Sequence, residues 1–181
     1  MSNELVAQLD PGSFYRESST GYDLVSFSAL TGTMRALRFP KMNPGKASGT
    51  PAVTYEYVDC AFIIPANLTL GTGLTFYLHV TDDGTSGDPG LVAKFGISVK
   101  RLNADATVDL SASAGTEQTA TVTLSSTASG IAILTKAIAN ANLNSAAVGD
   151  MVGVRIRRLS DDTADTVTGS VLLIGGHVKN T

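Results

Sequence analysis

The chain has 181 residues and a mass of 18.7 kDa, enough for one ordinary domain and short for two. Its 13 Lys and Arg against 16 Asp and Glu give a net charge of -3, and only 16% of residues are charged. That balance excludes both a charged disordered chain and the basic stripe of a dedicated nucleic-acid binder. A single cysteine, Cys60, rules out an intrachain disulfide and a thiolate metal cluster, and His79 and His177 are the only imidazoles.

Neutral polar residues stand where charge is usual: 21 Thr and 17 Ser beside 18 Gly. Such a surface suits oligomer or lattice contacts, because burying hydroxyls costs less than burying unpaired charges. Residues 1–11 carry Glu4 and Asp10 and lack a basic start before an apolar run, so no secretory signal is read there. No stretch reaches 18 apolar residues, and no membrane partner is expected. Asn67-Leu68-Thr69 fits the glycosylation acceptor pattern, without a secretory route to use it.

Residues 1–20 hold Pro11, Gly12 and Ser18-Ser19-Thr20, with spaced apolar groups at Leu5, Val6, Leu9, Phe14 and Tyr15. They read as an N-terminal arm, with a short helix over 3–9 as one option, that orders against its own domain or a neighbour. The domain proper takes residues 21–181. Strand alternation begins at Tyr22 and resumes over 33–39, where Pro40 stops it. Residues 41–51 form a loop. Residues 53–64 are the longest apolar and aromatic stretch, and 73–80 alternate cleanly, Leu74, Phe76, Leu78 and Val80 facing one way and Thr75, Tyr77 and His79 the other.

After the acidic, glycine-rich loop 82–90, residues 91–102 give a solvent-facing strand with Lys94, Gly96, Ser98 and Lys100 outward. Residues 103–118 are a loop or weak edge strand, and 119–125 alternate again. Residues 131–143 are read as a strand start followed by helical residues. Residues 151–159 set Met151, Gly153, Arg155 and Arg157 against Val152, Val154, Ile156 and Arg158. In the last segment, 167–178, the alternation puts Val171, Leu173, Gly175 and His177 on one face. Eight or nine strands separated by turns, without long helices between them, predict an all-β, antiparallel β-sandwich or barrel.

No constellation for catalysis emerges, and no cofactor is expected. Cys60 sits among Val58, Ala61 and Phe62 as a small hydrophobe would. Neither histidine has a partner at metal-ligand spacing, and both are read as structural or surface residues, although they can still meet in space. Asp82, Asp83 and Asp88 offer oxygens for Ca²⁺ but lack the EF-hand spacing and its terminal Glu. Gly71-Thr72-Gly73 lacks the Lys of a phosphate-binding loop. Gly175-Gly176 points to a bulge or a close backbone approach. Arg155 and Arg157 share a face and can grip carboxylates inside the chain or across a subunit contact.

The segment Ala147-Val148-Gly149-Asp150, the strand Val152-Gly153-Val154-Arg155-Ile156-Arg157-Arg158, the turn Asp165-Thr166 and the strand Gly169 to Val178 together resemble jelly-roll virion proteins of tailed bacteriophages. The group includes decoration, cement and tail-associated proteins. Residues 74–78 and 92–99 fit more loosely, so the resemblance covers about 53–178. Ser170 stands where an acidic residue is common, and no tryptophan accompanies the 92–99 strand.

The resemblance implies a jelly-roll-like sandwich and a non-enzymatic capsid decoration, or cement, protein on the outer surface of the head. It would be a homo-oligomer, a trimer by preference, bridging copies of the major capsid protein. Leu5, Val6, Leu9, Phe14 and Tyr15 would then be arm anchors, with Arg155 and Arg157 as subunit or capsid contacts. Deleting residues 1–18 would leave a folded protein that no longer coats capsids. The alternative keeps the fold and places the chain in a tail, neck or baseplate, where Tyr15, Tyr22, Tyr55, Tyr57 and Tyr77 would meet a host glycan. A jelly-roll enzyme with a bound metal is a third class.

Overall fold

The structure is a computed structural model that describes residues 4–9, 23–27, 34–39, 57–68, 70–82, 89–102 and 115–181. Ten strands are present among them: β1 (Leu5–Leu9), β2 (Asp23–Phe27), β3 (Met34–Phe39), β4 (Tyr57–Ile63), β5 (Gly73–Asp82), β6 (Val92–Leu102), β7 (Gln118–Thr123), β8 (Ala132–Ala139), β9 (Met151–Arg158) and β10 (Val171–Asn180). One sheet runs β2-β3-β10-β5-β8, with β1 also paired to β10; the other runs β4-β9-β6-β7. All pairings are antiparallel.

The order of pairing identifies the topology. β6 pairs with β7, β5 with β8, β4 with β9 and β3 with β10. These four nested pairs form one long antiparallel ribbon, wound so that β10 meets β5 in one sheet and β9 meets β6 in the other. An eight-stranded ribbon folded in this way is a jelly roll. β1 and β2 lie outside it, as additions to the larger sheet.

The core follows from alternation. Leu74, Phe76, Leu78 and Val80 of β5 are fully buried, and Leu134 and Ile138 of β8 join them from the same sheet. Ala93, Phe95, Ile97 and Val99 of β6, Val152, Val154 and Ile156 of β9, and Val58 and Cys60 of β4 face them from the other sheet. Phe76 and Phe95 head the largest buried side chains; truncating either to Ala would cost about 3–5 kcal/mol. Residues 131–143, read as a strand start followed by helical residues, hold strand β8 and then a 3-10 turn over Asn140–Asn142.

Two details differ from simple alternation. Between Leu173 and Gly175 the register of β10 on β5 shifts, so Val171 and Leu173 share the core face with Val178, not with His177. A bulge adds one residue to one strand and flips every side chain beyond it. Gly176 follows directly, and a Cβ there would lie 2.5 Å from the Tyr77 carbonyl oxygen, so both readings of the glycine pair apply. The outward side of β6 is also less exposed than the alternation implies: Ser98 and Lys100 are buried, as is Asp59 on β4. On this face Asp59, Arg155 and Ser98 stand in one cross-strand row. The Glu117 carboxylate covers Gly96, where a Cβ would meet its Cδ at 2.4 Å.

Candidate functional site

Residues 5–9, read from sequence as part of the arm, form β1 on the edge of β10. Leu5 lies opposite Lys179, Gln8 opposite His177 and Leu9 opposite Gly176. Val6 (8% exposed) and Leu9 (2%) bury their side chains in the core, so in the single chain this part of the arm is ordered on the domain. Leu5 remains exposed. Phe14 and Tyr15 lie outside the described residues.

Arg155 and Arg157 are both engaged inside the chain. Arg155 grips Asp59 with Nε donating to Oδ1 at 2.8 Å and Nη2 to Oδ2 at 2.7 Å. Arg157 grips Glu117 in the same two-pronged manner, with Nη2 donating to Oε1 at 2.8 Å. The third arginine, Arg158, faces inward and pairs with Asp165. Its Nε donates to Oδ2 at 2.9 Å and its Nη2 to Oδ1 at 2.8 Å, while Nη1 donates to the Gly169 carbonyl at 2.7 Å. Asp165 also accepts from the Lys94 and Val167 backbone amides. Thr166 completes the seam: its amide donates to Val92 O at 2.7 Å, and its Oγ1 accepts from Val92 N at 2.9 Å. The residues that carry the resemblance in this segment therefore hold the β9–β10 connection against the start of β6.

The Gly149-Asp150 turn is built similarly. Gly149 has a φ of +84°, open to glycine and strained for other residues. Asp150 accepts from Ala147 N at 2.7 Å and from Arg101 Nη2 at 3.1 Å, and these bonds, the backbone one first, hold its carboxyl below the usual carboxylate range. Asp162 is lowered likewise, first by Lys94 Nζ at 2.6 Å and then by the Ala164 amide. Asp82 accepts from the Ser129 amide at 3.1 Å and so caps the turn between β7 and β8. Asp83 and Asp88 lie outside the described residues, and among those described no group of three His, Cys, Asp or Glu could hold a metal ion. No helix among them is long and apolar enough to cross a membrane. Burial, and then Asp59, push the Cys60 thiol up to about 12, so it stays protonated and a poor nucleophile.

The bulge in β10 assembles a cluster that alternation misses. His177 stacks on Tyr77, with ring centroids 4.6 Å apart and planes 8° from parallel, and His79 meets His177 edge-on at 5.6 Å. Lys179 Nζ lies 5.4 Å from the Tyr77 ring centroid. Burial, then Lys179 and His79, lower the pKa of His177, so the imidazole is neutral at pH 7. Tyr77 is thus committed to neighbours on β10. Of the other tyrosines proposed for a glycan platform, Tyr15, Tyr22 and Tyr55 lie outside the described residues, as does the side chain of Tyr57.

The remaining feature is apolar. Ile63 at the end of β4 lies opposite Met151 at the start of β9, and Met151 lies opposite Leu102 at the end of β6. Ile63, Met151 and Val148 are 62%, 46% and 40% exposed. The same end of the sandwich carries a shallow depression of about 480 Å³ lined by Leu68, Leu70, Asn140, Ser145, Ala146, Ala147 and Val148. Exposed Leu5 belongs to this end too, because Glu4 O accepts from Asn180 N, and Thr181 sits against Gly71 and Thr72. Ile63 and Met151 belong to the outward faces of their strands, Met151 in the row of Gly153, Arg155 and Arg157, and strand pairing rather than periodicity brings them together.

No protein-family model matches the chain, and a search of curated proteins finds no relative. Among solved structures, the chain is similar to the CBM22-1–GH10 modules of the Clostridium thermocellum endo-1,4-β-D-xylanase 10B, crystallised with xylohexaose. The two are 12% identical, with a TM-score of 0.41, and the match covers all of this chain and 29% of that one. The chain therefore spans less than a third of the length of that protein.

Proposed function

We propose that this chain is a non-enzymatic structural protein of a tailed-bacteriophage virion, a decoration protein that oligomerises and bridges major capsid protein subunits on the outside of the head. The observation that carries the reading is the apolar end of the sandwich. Ile63, Val148 and Met151 present large hydrophobic side chains beside a shallow groove, the arrangement of a contact surface rather than of a reaction centre. The resemblance of residues 147–178 to jelly-roll virion proteins supplies the biological setting. Asp150, Arg155, Arg157, Arg158, Asp162 and Asp165 of that segment are engaged in holding the fold, which suits a building block.

The mechanism would be linkage. An oligomer that touches several shell subunits binds only the assembled state and stabilises it by mass action. Several weak contacts act together through their high effective concentration. The test is a pair of measurements. Light scattering on the purified chain should give a stable species near three times 18.7 kDa. Quantitative mass spectrometry of the phage particles that carry it should give a copy number in the hundreds. A monomer absent from particles would overturn the proposal, and a few to tens of copies would move the chain to the tail.

A further inference from the structure

We propose that β1 is an exchangeable strand, and that in the oligomer residues 5–9 of each copy occupy the β10 edge of a neighbouring copy. This rests on the oligomeric reading above and names the contact that would hold the oligomer together. The first support is topological. The nested ribbon from β3 to β10 is complete without β1, whose pairing among the described strands is with β10 alone. β1 can leave without opening any other strand pair.

The second support is the length of the tether. Leu9 lies opposite Gly176, while Asp23 at the start of β2 lies opposite Arg38, which lies opposite Leu172. The end of β1 and the start of β2 are therefore separated by four residues along β10, about 13 Å, and by one strand spacing of about 4.8 Å. That separation is about 14 Å. Residues 10–22 supply a connection able to reach about 45 Å when extended. Closing the strand onto its own domain uses about a third of that reach, and the surplus is what delivery to a neighbour requires.

The third support is the seat itself. Val6 and Leu9 bury their side chains in the core, and β1 covers the edge of β10 between Gly176 and Lys179. A second copy carries the same seat and the same strand. Exchange therefore conserves every contact, and the balance is set by the local concentration of neighbours. On a crowded shell that concentration is high, so exchange would bind copies to one another without any new interface chemistry.

The experiment uses the full chain with Gln8→Cys and His177→Cys together, two positions that face each other across the β1–β10 pair. The native Cys60 is buried and does not compete. After oxidation of the oligomer, exchange predicts disulfide-linked species at two and three times 18.7 kDa on a non-reducing gel. Mixing the two single variants should likewise give a covalent heterodimer. A double variant that closes only within single chains, in a protein that light scattering shows to be oligomeric, overturns exchange and leaves the oligomeric reading intact. Closure within a monomer overturns both. Free thiols persisting in the double variant would show that residues 8 and 177 are not opposed in either arrangement, and would overturn exchange as well.

Discussion

Arg158 and Asp165 form an ion pair in which neither side chain keeps any solvent-exposed surface. The pair survives burial because it is over-satisfied. The guanidinium also donates to the Val167 and Gly169 carbonyls, and the carboxylate also accepts from the Lys94 and Val167 amides. Replacing Asp165 with Asn leaves a buried cation without its counter-charge, and loss of one partner in such a pair costs about 3–5 kcal/mol. Urea unfolding of Asp165→Asn should show that loss. Lys94→Met, which breaks a partly exposed pair with Asp162 that solvent screens, should cost far less. Equal losses in the two variants would mean that the buried pair holds nothing special.

His177 carries the pH dependence. Its partly buried ring, beside Lys179 and His79, has a pKa below the ordinary 6.5, so the fold prefers the neutral imidazole. Above pH 6.5 the folded and unfolded chains are both neutral at this position. As pH falls from there towards the lowered folded value, the unfolded chain takes up the proton first and stability is lost. Asp150 and Asp162 act lower, since their folded pKa values lie below 3.8 and their contributions fade only as pH drops through the carboxylate range. Melting temperature measured from pH 7.5 to 5 should fall in the wild type and fall less in His177→Gln. An identical slope in both would remove His177 as the cause.

Much of the architecture was legible because strands with one buried face write their alternation into the chain. β5 and β9 show it: Leu74 to Val80 and Val152 to Ile156 face the core as their spacing requires. The all-β sandwich reading followed from such segments. β10 was legible only up to its bulge. Extending the alternation past Leu173 puts His177 beside Val171, whereas the extra residue turns it outward onto Tyr77. A glycine pair signals that a bulge is present but not which residue it displaces. The pairing of Arg155 with Asp59 and of Arg157 with Glu117 was hidden for another reason. Those partners lie 96 and 40 residues away, and strand order rather than local spacing brings them together.

The apolar end can be separated from the fold by substitution. Ile63 and Met151 are exposed, so Ile63→Glu or Met151→Glu should shift folding stability by no more than about 0.5 kcal/mol. If this end mediates assembly, a buried carboxylate at the contact should weaken it at least tenfold, about 1.4 kcal/mol. Light scattering across a dilution series would read the change. Unaltered mass in both variants, with unaltered binding to particles, would rule this end out as a contact surface.

The amino-terminal strand gives the sharpest contrast, because neighbouring residues in it should behave oppositely. Leu9 is buried to 2% exposure and Leu5 stands 53% exposed. Leu9→Ala should cost about 2–5 kcal/mol by removing core volume. Leu5→Asp should leave the unfolding midpoint almost unchanged, while weakening any contact that the apolar end makes. Removing residues 1–18 takes away Val6 and Leu9 together and strips a paired edge from β10 between Gly176 and Lys179. The shortened chain should therefore melt lower and aggregate through the bared edge, rather than remain an intact domain that has lost only its attachment. Thermal unfolding of the three variants side by side decides the matter. A truncated chain as stable as the full one would mean that β1 contributes nothing to the sandwich, and that its burial of Val6 and Leu9 is energetically idle.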